Sequence, residues 1–408
     1  MLNKNRLALF LFTVFFVVSY FLVLPAIFIF EQEYGLYHGV SYLDYLLTLW
    51  YSVPFIFCVY FGYFIFGRLL KGSDCNLLKK AVNTPRNLKF FFYFSIVPPL
   101  ACLIFLLLTK GITIGHGGYG DQLEANAGNG VYLLFLYSYS PCALIYLLSG
   151  RLSNSRILIT LSIMIIFGSL VFLITGGSRN IAAGGIVSLA LYLLYFKRIS
   201  LKVFGTFSIT MMIGVTLLAF FRYSNSLSSS EASYLFFLYT LDSFSPINSL
   251  YQVIHKFEYS SDFVLVFFDN FFTQFYTFIP RAIWADKPIL LMTNGKFITT
   301  EVLGLNGRFI VSPSVIGTAV VMLGYFYFFI GVFVGIVLRI NDLFISSSSP
   351  LFKVIGFILL PSVFLLSREN LEFYIYKVIM ISVTIFFVYL VFRLFIWMPS
   401  KVNKRRCS

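Results

Sequence analysis

The chain has 408 residues, 59% of them hydrophobic and 11% charged, against about 45 to 50% and about 25% in soluble domains. That composition, with 51 Phe and 27 Tyr, excludes an ordinary water-soluble domain and predicts an all-α polytopic membrane protein, since aromatic residues fill spans and mark interface belts. A net charge of +14 would suit nucleic acid only if the basic residues clustered on one soluble face; they are spread between apolar runs, so membrane lipid is the expected partner and nucleic acid is not.

A helix needs about 20 apolar residues to cross about 30 Å of hydrocarbon. Ten runs meet or approach that length: Leu7 to Phe30, Tyr45 to Phe66, Phe90 to Leu108, Val131 to Leu148, Ile157 to Ile174, Ile181 to Phe196, Val203 to Phe221, Pro313 to Leu338, Leu351 to Leu366 and Phe373 to Trp397. The first follows Lys4 and Arg6 like a signal peptide. It is longer than a cleaved apolar region of about 7 to 15 residues and lacks a small-x-small cleavage site, so it reads as the first span. One set of loops, including Arg68 to Lys89 and the tail with Lys401, Lys404, Arg405 and Arg406, collects most of the 30 basic residues and only Asp74 and Asp342 of the 16 acidic ones. The positive-inside bias makes that side cytoplasmic, with both termini inside, and predicts an inner-membrane protein of about ten spans.

The stretch from Arg222 to about Val311 is the only long polar interruption, a loop over 222–311 inserted between spans seven and eight of a single membrane domain, 1–408. Within it Phe263 to Trp284 is strongly aromatic, but Asp269, Thr273, Thr277 and Arg281 recur every four residues. Such a stripe predicts an amphipathic helix lying on the outer surface. A crossing there would send the basic tail outside, against the charge rule. The segment Ile279 to Pro288 then holds Arg281, Trp284, Asp286 and Lys287 between Pro280 and Pro288, and prolines so placed prevent a continuous helix.

Two readings attend each exterior motif. In Thr175-Gly176-Gly177-Ser178-Arg179-Asn180, Ser178 could cap the helix beginning near Ile181 and make an anion site with Arg179; the alternative is a tight glycine turn with an arginine snorkelling to the interface. Arg222, Arg308 and Arg368 are kept on the side that the orientation rule disfavours, which suits a diphosphate held by paired hydrogen bonds; alternatively each pairs with a local acid, as Arg368 with Glu369. Arg281 and Lys287 are cationic candidates within a stiff loop, while Trp284 as interface anchor and Asp286 with Lys287 as a solvated pair form the plainer reading. The glycine-rich Gly115 to Gly120 follows a span and lacks a Rossmann unit. His38, His116 and His255 have no ligand spacing, and no Asp-x-Asp pair exists, so neither metal nor cofactor is expected. The five cysteines imply no disulfide, and Gly331 with Gly335 matches a helix-packing pattern.

Taken together, these features resemble the Wzy-type oligosaccharide repeat-unit polymerases, which include O-antigen polymerases. The resemblance rests on the many-span layout, the turn at Gly177 to Arg179, the large exterior loop, and Pro280-Arg281 and Asp286-Lys287-Pro288 ahead of the span with Gly317, Gly324 and Gly331. It implies the plan of lipid-dependent, GT-C-like glycosyltransferases. The implied donor is a glycan on undecaprenyl diphosphate, transferred at the periplasmic face onto a lipid-linked repeat unit, with a flippase and a chain-length regulator as partners. Some members place glycine eleven positions after each exterior arginine; here Ala190 follows Arg179 and Met292 follows Arg281, so the donor and acceptor arginines are not distinguished. On this reading Arg281 and Arg179 are catalytic, with Glu369 or Asp242 as base, while Arg222, Lys287, Arg308, Arg368, Ser178 and Trp284 bind substrate. The rivals are an O-antigen ligase, which shares the layout, and a lipid-linked oligosaccharide flippase.

Overall fold

The computed structural model describes residues 6–23, 41–72, 88–111, 130–175, 179–224, 246–259, 284, 286, 294–302, 314–368 and 371–405. Among these the regular structure is entirely helical, the form in which a single segment satisfies its own backbone in lipid. In chain order come α1 (Leu7–Val17), extended by a π-helical turn over Val18–Leu22, then α2 (Tyr42–Trp50), α3 (Ser52–Gly72), α4 (Leu88–Ser95), α5 (Val97–Lys110), α6 (Gly130–Leu136), α7 (Tyr139–Leu148) and α8 (Asn154–Ile174). They are followed by α9 (Arg179–Tyr195), α10 (Leu201–Ser224), α11 (Ile247–Tyr259), α12 (Asn294–Phe297) with a π turn at Ile298–Val302, α13 (Val315–Leu323), α14 (Phe328–Ser346), α15 (Pro350–Arg368) and α16 (Leu371–Arg405).

Prolines explain why several apolar runs are divided. Pro98 and Pro99 stand in the first turn of α5, Pro54 in that of α3 and Pro141 in that of α7. A proline has no N–H to give to the preceding turn, so it suits the start of a helix best; Pro361 is the exception, inside α15. The run expected as one span from Pro313 to Leu338 is also split. Gly324, at φ 57°, ends α13, and a short 3-10 turn leads into α14.

Tyr42–Leu70, Leu88–Lys110, Val131–Leu148, Asn154–Ile174, Phe328–Ser346 and Lys377–Leu394 are long and apolar enough to cross a membrane. Each overlaps a different one of the expected runs. The four other runs hold shorter apolar helices, Leu7–Leu22, Ala183–Tyr195, Leu201–Met211 and Pro350–Phe364. Among the described residues, six helices are thus long and apolar enough to cross, which makes this a helical polytopic membrane protein without reaching the expected count of ten.

The tightest contact in the bundle is between α3 and α14, and glycine makes it possible. A Cβ at Gly331 would stand 2.6 Å from the Phe55 carbonyl oxygen, and one at Gly335 would fall on the Val59 carbonyl and 2.7 Å from the Tyr63 nitrogen. From the other side, a Cβ at Gly62 would strike Val332. The two backbones touch because nothing projects between them, which is the packing that Gly331 and Gly335 predict.

Candidate functional site

Side-chain contacts fix the relative directions of the central helices. Phe15 meets Phe364 at 5.1 Å between ring centroids, and Tyr20 reaches Ser367, so α1 and α15 run the same way. The α3 and α14 pair runs opposite to them, with Thr13 of α1 bonded to Tyr60 and Ala8 to Asp342. One end of the bundle is thereby marked by Ala8, Tyr63 and Asp342. The other is marked by Tyr20, Ser314 and Ser367.

At the first end Asp342 is 1% exposed and fully occupied as an acceptor. It takes the Ala8 N–H at 2.8 Å and the Tyr63 hydroxyl at 2.8 Å, and it also accepts the Leu9 N–H. The carboxylate thus serves as N-terminal cap for α1 from a distant part of the chain, where the helix dipole favours negative charge. Arg339 donates to the Tyr63 hydroxyl at 3.3 Å and lies over its ring, while Arg6 lies over Phe64. This is a stabilising knot of charge and backbone, although among the described residues the buried Arg339 Nε and the Asn341 amide beside it find no partner.

The second end is assembled differently. Tyr20 sits in the π-helical turn that closes α1, fully buried, with its ring stacked on Phe16 at 4.4 Å. Its hydroxyl donates to the Ser367 carbonyl at 3.3 Å, and the Ser314 side chain makes a hydrogen-bonding contact with the same hydroxyl. Ser314 in turn caps α13, its oxygen accepting the Gly317 N–H at 2.8 Å from a backbone at φ 59°. A serine in the left-handed region is strained, and such strain persists only where surrounding contacts hold it.

Above α13 lies α11, a helix from within the polar loop. Ile247, Leu250, Val253, Ile254 and Phe257 are buried, a spacing of three and four that puts them on one face. That face packs on α13 and α2, with Tyr251 against Tyr45 at 5.9 Å. Lys256 donates to the Glu301 carbonyl and so fastens α11 to the π turn beyond α12. The Ser41 and Asp44 side chains form a capping box on α2 beneath it.

The sequence-predicted site residues fall around this end only in part. Arg179 is the first residue of α9, Arg222 lies in the last turn of α10 and Arg368 is the last residue of α15. Arg368 directly follows Ser367 and so belongs to the end marked by Tyr20. Tyr192 and Tyr195, at the far end of α9, pack on Phe357 in the first half of α15, so Arg179 begins α9 on the Tyr20 side. Trp284 is non-helical and 39% exposed, and Asp286 is an exposed turn residue. Arg281, Lys287, Arg308, Ser178, Asp242 and Glu369 lie outside the described residues, as does the expected amphipathic helix ahead of Trp284. Sequence reasoning passed over α11, Tyr20 and Ser314, and counted Asp342 only as a cytoplasmic charge. The signal for Asp342 was its apolar setting, with Ile340 before it and Leu343, Phe344 and Ile345 after it just past the expected run end at Leu338, where an acid needs partners.

No solved structure matches the chain. A family model described as "WzyE protein, O-antigen assembly polymerase" matches residues 3–406. A match from end to end on a many-helix apolar bundle agrees with the layout on which the sequence resemblance rests, and the chain belongs to the WzyE family of O-antigen assembly polymerases.

Proposed function

We propose that the protein polymerises oligosaccharide repeat units carried on undecaprenyl diphosphate, at the periplasmic face of the bacterial inner membrane. The observation that carries this reading is the family match over residues 3–406. The proposed topology has ten spans in one membrane domain, both termini in the cytoplasm, and the 222–311 loop on the periplasmic side. The charge bias of the loops supports it, as does the gathering of Arg6 and Arg339 around the Asp342 end.

In the proposed reaction an acceptor sugar hydroxyl attacks the anomeric carbon of the donor glycan. The bond from that carbon to the diphosphate breaks, and undecaprenyl diphosphate leaves with the electron pair. Negative charge grows on this leaving group, and Arg281 and Arg179 stabilise it, with Arg222, Lys287, Arg308, Arg368, Ser178 and Trp284 holding diphosphate and glycan. Glu369 or Asp242 takes the hydroxyl proton. Fixed guanidinium groups supply the charge that a divalent metal would, and the sequence has no Asp-x-Asp pair to hold one, so the reaction is read as metal-independent. A flippase that delivers lipid-linked units and a chain-length regulator are the expected partners.

The test is deletion of the gene in its host, followed by electrophoresis of the surface glycolipid. Lipid core bearing a single repeat unit is the expected product. Lipid core with no repeat unit would contradict the reading and indicate a ligase or a flippase.

A further inference from the structure

Nothing in packing alone requires a tyrosine at position 20. The ring stacked on Phe16 would be equally well buried as phenylalanine, yet the hydroxyl reaches across to Ser367 of α15 and meets Ser314 at the head of α13. Three elements distant in sequence, α1, α13 and α15, converge on that one oxygen, and Tyr20, Ser314 and Ser367 are each fully buried. Their backbones are irregular here: α1 becomes π-helical and Ser314 has a positive φ. Arg368 is the next residue after the carbonyl that Tyr20 holds. The N-terminal N–H groups of α13, which carry the positive end of that helix dipole, begin at the residue after Ser314.

We propose that Tyr20 is a positioning residue that ties the end of α15 to the head of α13, and so sets where Arg368 meets the lipid diphosphate. The inference rests on the reading that exterior arginines bind this group. Tyr20 itself does not touch substrate. Its hydroxyl fixes the carbonyl from which Arg368 continues, and the charge that Arg368 would meet grows as the leaving group departs. Losing the tie should therefore appear in kcat more than in KM.

The experiment compares purified wild type, Tyr20→Phe, Arg368→Ala and the double variant, using initial rates of repeat-unit addition over a range of lipid-diphosphate-linked substrate. Tyr20→Phe removes one neutral hydrogen-bond donor, so kcat should fall about 2- to 12-fold with KM near wild type. In the Arg368→Ala background Tyr20→Phe should cause no further loss, because its effect passes through Arg368. If the losses multiply, or if Tyr20→Phe lowers only the melting temperature and leaves the rate per folded molecule unchanged, the positioning role is overturned while the arginine reading stands. A silent Arg368→Ala would overturn the reading of Arg368 as a diphosphate ligand, and the inference with it.

Discussion

The two ends of α1 are held in contrasting ways. At its start, a buried carboxylate accepts backbone N–H groups at 2.8 Å in a charge-assisted contact, among the stronger hydrogen bonds that proteins make. At its finish, a neutral hydroxyl reaches a carbonyl at 3.3 Å beside a strained serine and a π-helical turn. The first arrangement centres on a carboxylate with short contacts to its donors, beside a buried Arg339 Nε and Asn341 amide that have no partner among the described residues; the second is longer, weaker and next to an arginine. A bundle anchored firmly at one end can keep the other adjustable, and the adjustable end is the one to which the proposed function assigns the growing lipid-linked glycan.

Removing the strong anchor should have the largest effect on stability. Asp342→Ala strands the Ala8 and Leu9 N–H groups and the Tyr63 hydroxyl, at about 1 to 3 kcal/mol for each buried donor left without a partner. The expected outcome is a large fall in membrane abundance and melting temperature, while the folded remainder elongates glycan at the normal rate per molecule. Asp342→Asn keeps an acceptor oxygen and should be milder. Normal abundance with lost activity would place chemistry at the wrong end of α1 and break the comparison.

The glycine seam belongs with the strong anchor and should answer to substitution in the same way. Gly335→Ala forces a Cβ onto the Val59 carbonyl and should destabilise by about 1 to 3 kcal/mol or more. Gly184, within α9, has nothing within 4 Å of its added Cβ, so Gly184→Ala should be neutral or stabilising by up to about 1 kcal/mol. Thermal unfolding in detergent separates the two, and equal melting temperatures would refute the seam.

At the weaker end the expected changes are smaller. Ser314→Ala loses the cap and keeps the strained φ, costing about 0.5 to 2 kcal/mol, whereas Ser314→Gly should cost only a few tenths. The order of the two melting temperatures is the readout, and alanine above glycine would show that the backbone at Ser314 is not strained.

The helical plan was legible because membrane helices write themselves as apolar runs, and the Gly331 and Gly335 seam because small residues four apart have one common use. The breaks within runs were less legible, since Pro54, Pro98 and Pro141 fit a helix start as readily as a kink. Tyr20 could not be found from sequence: its partner is 347 positions away, and in the middle of the expected run from Leu7 to Phe30 it does not stand out from the other aromatic residues. Asp342 was visible, but not that it would cap α1, because a contact across 334 positions leaves no local period. The α11 helix does carry a period of three and four, which the more aromatic stretch from Phe263 to Trp284 outweighed.

Polymerisation by arginine chemistry in the exterior loop can be measured with purified protein in liposomes given single lipid-linked repeat units in the presence of EDTA. Wild type should build a ladder of products. Arg281→Lys, which keeps charge but loses the planar two-donor geometry, should fall toward the loss of about 100- to 1000-fold expected when an electrostatic stabiliser is removed, with normal insertion, whereas Lys287→Arg should stay close to wild type. A ladder that appears only after magnesium or manganese is restored, or an undiminished ladder from Arg281→Lys, would contradict the account.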